Sequence, residues 1–188
     1  MRRIEARINS ELFSGDKKRL TRALEKHNVD VSRWAEELLR TGVNFGKPTN
    51  KRLNICLLTS DELMVSRDKF GYKSVSESVL KQGYKFCPRW TGPYLASAIK
   101  PDSLGEDAYV LVLSEPIATP QKPKWLQDPN AVKGGYKNNE IFLVGRDFGQ
   151  IRLHATWTWG LWNPEDSGDF LVACLAPGKE SDKTTADR

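Results

Sequence analysis

Residues 109–117 read Tyr109-Val110-Leu111-Val112-Leu113-Ser114-Glu115-Pro116-Ile117, and how they are read decides the fold. Five successive apolar side chains, β-branched at two positions and aromatic at one, form too short a run for an ordinary helix and fit a buried strand. Pro116 brings no N–H to a ladder and so marks the end of that strand.

Upstream lies Lys85-Phe86-Cys87-Pro88-Arg89-Trp90-Thr91-Gly92-Pro93-Tyr94-Leu95, with two prolines and a glycine inside six residues. Such spacing holds the backbone tightly while Phe86, Trp90 and Tyr94 offer large surfaces beside Cys87 and Arg89. It suits a shaped pocket or a rigid turn under a core, and it names no reaction. Residues 94–99 read as a short helix. Before them, Ser74 or Ser76 can cap a helix carrying Val75, Val79 and Leu80 and closed by Gly83, and residues 84–86 make a short strand. Leu53, Ile55, Leu57 and Leu58 predict a strand, and Thr59-Ser60-Asp61-Glu62-Leu63 a capped helical turn. On the downstream side, residues 141–144, 149–153 and 169–175 predict strands, the first two joined as a hairpin around Arg146-Asp147-Phe148-Gly149. Residues 119–139, rich in Pro, Lys, Gly and Asn, are expected to be a long functional or disordered loop.

The first quarter of the chain carries helical spacing instead. Ile4, Ile8 and Leu12 fit one helix, Leu20, Ala23, Leu24 and His27 a second, and Trp34, Ala35, Leu38 and Leu39 a third, capped by Asp30 or Ser32. The last two, joined by Asn28-Val29-Asp30, have the dimensions of a helix-turn-helix unit, a spacing shared with many helical appendages that read no DNA. Residues 44–51, with Gly46, Pro48 and Asn50, read as a linker. The expectation is an α+β fold: short N-terminal helices followed by a mostly antiparallel sheet of about five strands with one or two helices. Its parts are a basic helical segment at 1–45, an α+β domain at 52–176 and a disordered tail at 177–188.

Several of these stretches together resemble an uncharacterised bacterial family. They are Val31-Ser32-Arg33-Trp34-Ala35-Glu36-Glu37-Leu38-Leu39, Leu80-Lys81-Gln82-Gly83-Tyr84-Lys85-Phe86-Cys87-Pro88, Gly92-Pro93-Tyr94-Leu95, Ser114-Glu115-Pro116-Ile117 and Trp162-Asn163-Pro164-Glu165-Asp166. The resemblance covers about residues 30–176 and implies one coherent domain. Phe86 stands where that core commonly has leucine, and the 119–139 loop is longer. No activity comes with the resemblance.

Composition narrows the functional classes. Hydrophobic residues at 39% and charged residues at 28% describe an ordinary globular chain. No apolar run approaches the ~20 residues needed to cross a bilayer, so no membrane is expected. The charged start, Met1-Arg2-Arg3-Ile4-Glu5, is unlike a signal peptide. Three widely spaced cysteines (Cys56, Cys87 and Cys174) fit a reducing cytoplasm better than a disulfide framework. Two histidines leave little for a zinc site, and no cofactor motif is present.

Charge is distributed unevenly. Residues 1–52 hold 13 Lys/Arg and 7 Asp/Glu, whereas residues 53–188 hold 16 and 17. The whole basic excess of the chain therefore lies in its first quarter. This is the footprint of a polyanion contact, or more blandly of a solvated helix face. The candidate phosphate-contacting residues are Arg2, Arg3, Arg7, Lys17, Lys18, Arg19 and Arg22. Arg89, Trp90, Trp125, Trp157 and Trp159 are candidates for an aromatic, cation-dotted surface. Trp157 and Trp159 share one strand face, where they can stack on bases or form core. Cys87, with His154 as base and Asp147 or Glu165 as orienting group, is weighed as a nucleophile against a small buried hydrophobe. Carboxylate pairs are weighed as a Mg²⁺ site against turn chemistry, and no pair has a diagnostic spacing. No catalytic residue and no metal site is assigned. The expected function is that of a small cytoplasmic binding or regulatory protein whose partner is nucleic acid or another protein. The alternative is a small hydrolase or nuclease working near the Cys87-Pro88/Gly92-Pro93 turn.

Overall fold

The structure is a computed structural model that describes residues 2–6, 17–40, 53–105, 108–119, 138–158 and 170–177. Among the described residues thirteen strands and α-helices follow one another: β1 (Arg2–Ala6), α1 (Lys17–Lys26), β2 (Asp30–Val31), α2 (Arg33–Arg40), β3 (Leu53–Thr59), α3 (Ser60–Leu63), α4 (Tyr72–Lys81), α5 (Thr91–Ala98), β4 (Tyr109–Val112), β5 (Ile117–Thr119), β6 (Asn138–Asp147), β7 (Gln150–Trp157) and β8 (Phe170–Leu175), with short 3-10 helices at Arg67–Lys69 and Pro101–Ser103. The strands form one sheet in the order β1-β3-β8-β4-β6-β7-β2, with β5 also paired to β6.

The fold is α+β, as the alternation of helical and strand periods implies. The sheet is mixed and larger than expected, with eight strands. β4 lies parallel to β8 and β2 parallel to β7, and the remaining pairings are antiparallel. Strand alternation divides the interior into two cores. Ile55, Leu57, Val110, Val112, Phe142, Val144, Leu153 and Ala173 belong to one. Cys56, Leu58, Leu111, Leu113, Ile141, Val172 and Cys174 belong to the other. The first core is closed by Leu20 and Leu24 of α1, Ala35, Leu38 and Leu39 of α2, and Tyr94 and Leu95 of α5. The second is closed by Leu63 of α3, Phe70, and Val75 and Val79 of α4. Covered on both faces, β3, β4 and β8 are continuously apolar at their centres, as strands without a wet face must be.

Local chemistry sets several boundaries. Thr59 and Glu62 make the capping box expected of them: the Glu62 N–H donates to Thr59 Oγ1 at 3.2 Å and the Thr59 N–H to Glu62 Oε2 at 3.0 Å. α4 begins earlier than the serines suggested, because Ser74 reaches back one turn to accept from the Gly71 N–H at 3.2 Å. α5 begins at Thr91, ahead of the expected Tyr94. Residues 84–86 do not extend into a strand, and Lys85 and Cys87 form single bridges to Leu175 and Ser114. Tyr72 Oη donates to the Ser114 carbonyl at 2.9 Å, which helps hold the chain where β4 stops before Pro116.

The N-terminal reading needs correcting in two places. Arg2–Ala6 is a strand, paired antiparallel with β3, not the start of a helix. Its apolar Ile4 satisfies strand alternation as well as helical spacing, and pairing along β3 decides between them. Arg7, Ile8 and Leu12 lie outside the described residues. The second correction concerns the helix pair. α1 and α2 are present, but their connection contains β2, which pairs with Arg152 and Leu153 of β7, and the Ser32 N–H donates to the Leu153 carbonyl at 2.9 Å. The strand ties the pair to the sheet, so a free helix-turn-helix unit is not formed. The expected linker at 44–51, the greater part of the 119–139 loop and the tail beyond Pro177 fall outside the described residues.

The β6–β7 hairpin closes through Phe148 and Gly149, with φ of 49° and 74°. Two successive positive-φ residues are the signature of a type I′ turn, which favours Asn-Gly. Phe148 is 95% exposed, so its ring gains nothing in exchange for a left-handed backbone. Replacing Phe148 by Asn is expected to raise stability by about 1 kcal/mol, the typical penalty for an L side chain in that region. The check is the urea midpoint at unchanged slope; a lower midpoint would show that the ring has packing partners.

Candidate functional site

α1 is held by Leu20 and Leu24, both buried, and turns Arg22 and Lys26 to solvent one helical turn apart. Its first turn is Lys17-Lys18-Arg19 and contains no acidic residue. The sequence places Lys18 one turn before Arg22, so residues 18, 22 and 26 share a helix face. Among the described residues neither Arg22 nor Lys26 is bridged to a carboxylate. α2 differs in this respect. Its Arg40 is clamped by Glu37, with Nη2 to Oε1 at 2.5 Å and Nε to Oε2 at 3.0 Å. That hydrogen bond holds the Glu37 carboxyl below its ordinary range. Lys26 was not among the candidates drawn from the sequence, although its spacing from Arg22 could have placed it there.

Arg2 and Arg3 do not share an element with the cations of α1. Arg2 and Arg3 lie on β1 at one border of the sheet, whereas α1 packs against α5 and β2, and β2 forms the other border. By helical spacing residues 18, 22 and 26 form a cationic stripe on α1, along which Arg22 and Lys26 are exposed.

The Cys87-Pro88/Gly92-Pro93 turn is filled by protein. Cys87 is 3% exposed, and its Sγ donates to the Ala173 carbonyl at 3.6 Å. Burial pushes its thiol far above the ordinary range, and the neighbouring Cys174 up to about 12. Residues 91–96 are buried, and Gly92 lies directly against the Phe142 ring. Trp90 is half-buried against the core. Arg89 is exposed and bridged to Glu115 at 3.2 Å.

His154 does not reach this turn. It lies in register with Leu143, on the sheet face that carries Cys56 and Leu111, while Cys87 belongs to the core on the opposite face. The sheet separates the two residues. His154 instead packs near the Tyr109 ring, with centroids 6.4 Å apart. Burial, reinforced by the Arg152 charge and opposed by Asp30 and Asp147, lowers its pKa. Asp147 is a turn residue that also holds Arg152 in place, at 2.6 Å, with Asp30 on the same guanidinium at 2.5 Å. Among the described residues no group of three His, Cys, Asp or Glu side chains is placed to hold a metal ion. Trp157 lies on β7 opposite Glu140; Trp125 and Trp159 lie outside the described residues.

One further surface follows from backbone geometry. Asn28, Met64 and Phe148 are the described non-glycine residues with positive φ. Strand directions bring the end of β3, the β6–β7 turn and the start of β2 to the same end of the sheet. Met64 and Phe148, 88% and 95% exposed, therefore project from that end as apolar side chains on strained backbone.

Compared with protein-family models, with characterised proteins and with solved structures, the chain matches none of them.

Proposed function

We propose that this protein is a binding protein whose partner is a nucleic acid, contacted by the cationic stripe of α1. The observation that supports this reading is where the charges fall along the helix. A helix N-terminus carries partial positive charge, and each cation placed there costs about 0.3–1 kcal/mol. α1 nevertheless opens with Lys17-Lys18-Arg19, and Arg22 and Lys26 continue the stripe outward. A sequence that breaks a local stability rule in this way is best accounted for by a ligand that reverses the penalty. A phosphate backbone does so through both the side chains and the helix end. The interior of the sheet contributes rigidity, not chemistry, since Cys87 is buried and His154 lies across the sheet from it. Free Cys56, Cys87 and Cys174 favour a reducing compartment, and we place the protein in the cytoplasm. No helix among the described residues is long and apolar enough to cross a membrane.

Fluorescence polarisation with single- and double-stranded DNA and RNA, over a range of salt, tests the reading. Affinity is expected to fall steeply with salt, by a logarithmic slope of about 0.9 for each duplex phosphate neutralised. Arg22→Glu/Lys26→Glu should weaken binding at least about tenfold and reduce the slope by about two units. Arg40→Glu, which removes a cation already bridged on α2, should leave both nearly unchanged. Salt-insensitive or absent binding at micromolar protein would favour a protein partner instead.

A further inference from the structure

The two borders of the sheet are built differently. β2 is a border strand of two residues, and short borders offer little to a passing strand. β1 is a border strand of five, paired over its whole length to β3, and among the described residues β3 is its one partner. Unpaired among the described residues, its second edge presents N–H and C=O groups as any border strand does, a template for another chain. Charged residues on such an edge ordinarily discourage pairing, and Arg2 and Arg3 by themselves have that effect.

The order of residues reverses the sense of that charge. β1 reads Arg2-Arg3-Ile4-Glu5-Ala6. If two copies of this segment run antiparallel about a two-fold axis through Ile4, Arg3 of each stands opposite Glu5 of the other, and Ile4 stands opposite its own copy. Directly opposed residues in an antiparallel pair share a face, and opposite charges there attract while like charges repel. Shifting the strands by two residues in either direction puts Arg3 against Arg3 or Glu5 against Glu5, so the pattern selects one register. Alternation also fits the sheet already present. Ile4 is in register with Ile55, which belongs to the α1–α2–α5 core, and Arg3 with Cys56, which belongs to the other. A two-fold perpendicular to the sheet keeps each face continuous from one copy to the next.

We propose that β1 is a self-complementary docking edge, and that its occupant is the β1 strand of a second copy of this chain, joining the two sheets into one. This inference is independent of the nucleic-acid reading, whose stripe lies on α1.

Sedimentation velocity on the full chain, from micromolar to submillimolar protein, tests it. The wild-type chain is expected to form a dimer. Arg3→Glu and Glu5→Arg should each weaken dimerisation about tenfold or more, since both cross-strand pairs turn from attractive to repulsive. Arg3→Glu/Glu5→Arg should restore it by exchanging the signs. An equimolar mixture of the two single variants should form mixed dimers, since every opposed pair then again carries unlike charges. A wild-type chain that stays monomeric throughout, or single reversals that leave a dimer intact, would overturn the proposal. Ile4→Cys supplies a readout that does not depend on charge. Opposed strand residues lie within disulfide range, so mild oxidation should yield a covalent dimer. Arg2→Cys, which faces Ala6 of the other copy, should not. The three native thiols are buried, so the background is low. Equal crosslinking at both positions would also refute the register.

Discussion

Deleting residues 1–45 is expected to leave a chain that does not unfold cooperatively. Those residues supply Leu20, Leu24, Val29, Ala35, Leu38 and Leu39 to the core they share with Val110, Phe142, Val144 and Leu153. Burying a leucine-sized side chain contributes about 1.5–3 kcal/mol. The four leucines, with smaller contributions from Val29 and Ala35, together are comparable to the whole of a typical stability, about 5–15 kcal/mol. The deletion also strips β1 from β3 and turns Leu53–Thr59, with four buried residues at its centre, into an exposed border. The fragment from residue 46 onward should therefore aggregate or bind a hydrophobic dye, with no sharp thermal transition by circular dichroism. A soluble fragment that melts cooperatively near the parent temperature would mean that the helices merely decorate a self-sufficient sheet.

Gly92→Ala is the second large expected effect. A Cβ at Gly92 would stand 2.3 Å from Phe142 Cβ and 2.6 Å from its Cγ, closer than real carbon atoms approach. Phe142 is fully buried, and its near end, not a flexible tip, is what the new methyl meets. The substitution is expected to destabilise by about 3 kcal/mol, the upper part of the overpacking range, even though Ala is the better helix former. Gly83→Ala is the comparison. Gly83 has open space around it but a φ of +82°, so backbone strain alone acts and should cost about 1 kcal/mol. Urea midpoints for the pair separate the two causes; equal losses would show that Phe142 moves aside without penalty.

Much of the middle of the chain is legible from residues alone. Two signals agreed at each of the elements read correctly. Tyr109–Val112 has strand composition and a terminating proline, Thr59–Glu62 has the reciprocal cap, and Arg33–Arg40 has an apolar stripe behind Ser32, whose Oγ accepts from the Ala35 N–H at 3.2 Å. β1 and β2 were illegible for a physical reason. Five residues with a single central isoleucine fit either period, and two residues have no period at all. Both exist because β3 and β7 offer them a ladder, which is information held far away in the chain. The cationic stripe was half legible. Charge asymmetry located it, but only the fold separates Arg2 and Arg3 from α1 and shows that Glu37 engages Arg40. The Cys87 turn was chemically suggestive because Cys, Arg and Trp cluster there in sequence. The tertiary fold turns Cys87 inward, and the sheet lies between it and His154.

The place of β8 bears on how the molecule can be made. Although last among the described strands, it lies between β3 and β4, antiparallel to one and parallel to the other. A nascent chain cannot join its two halves until Phe170–Leu175 has left the ribosome. At about 5–20 residues per second, the stretch from β4 to the end of β8 takes on the order of 3–12 s to synthesise. Throughout that interval β3 and β4 each expose an apolar edge awaiting the same strand, and pairings this distant in sequence form slowly. Newly made copies are thus held open to chaperones, and to one another, until β8 arrives.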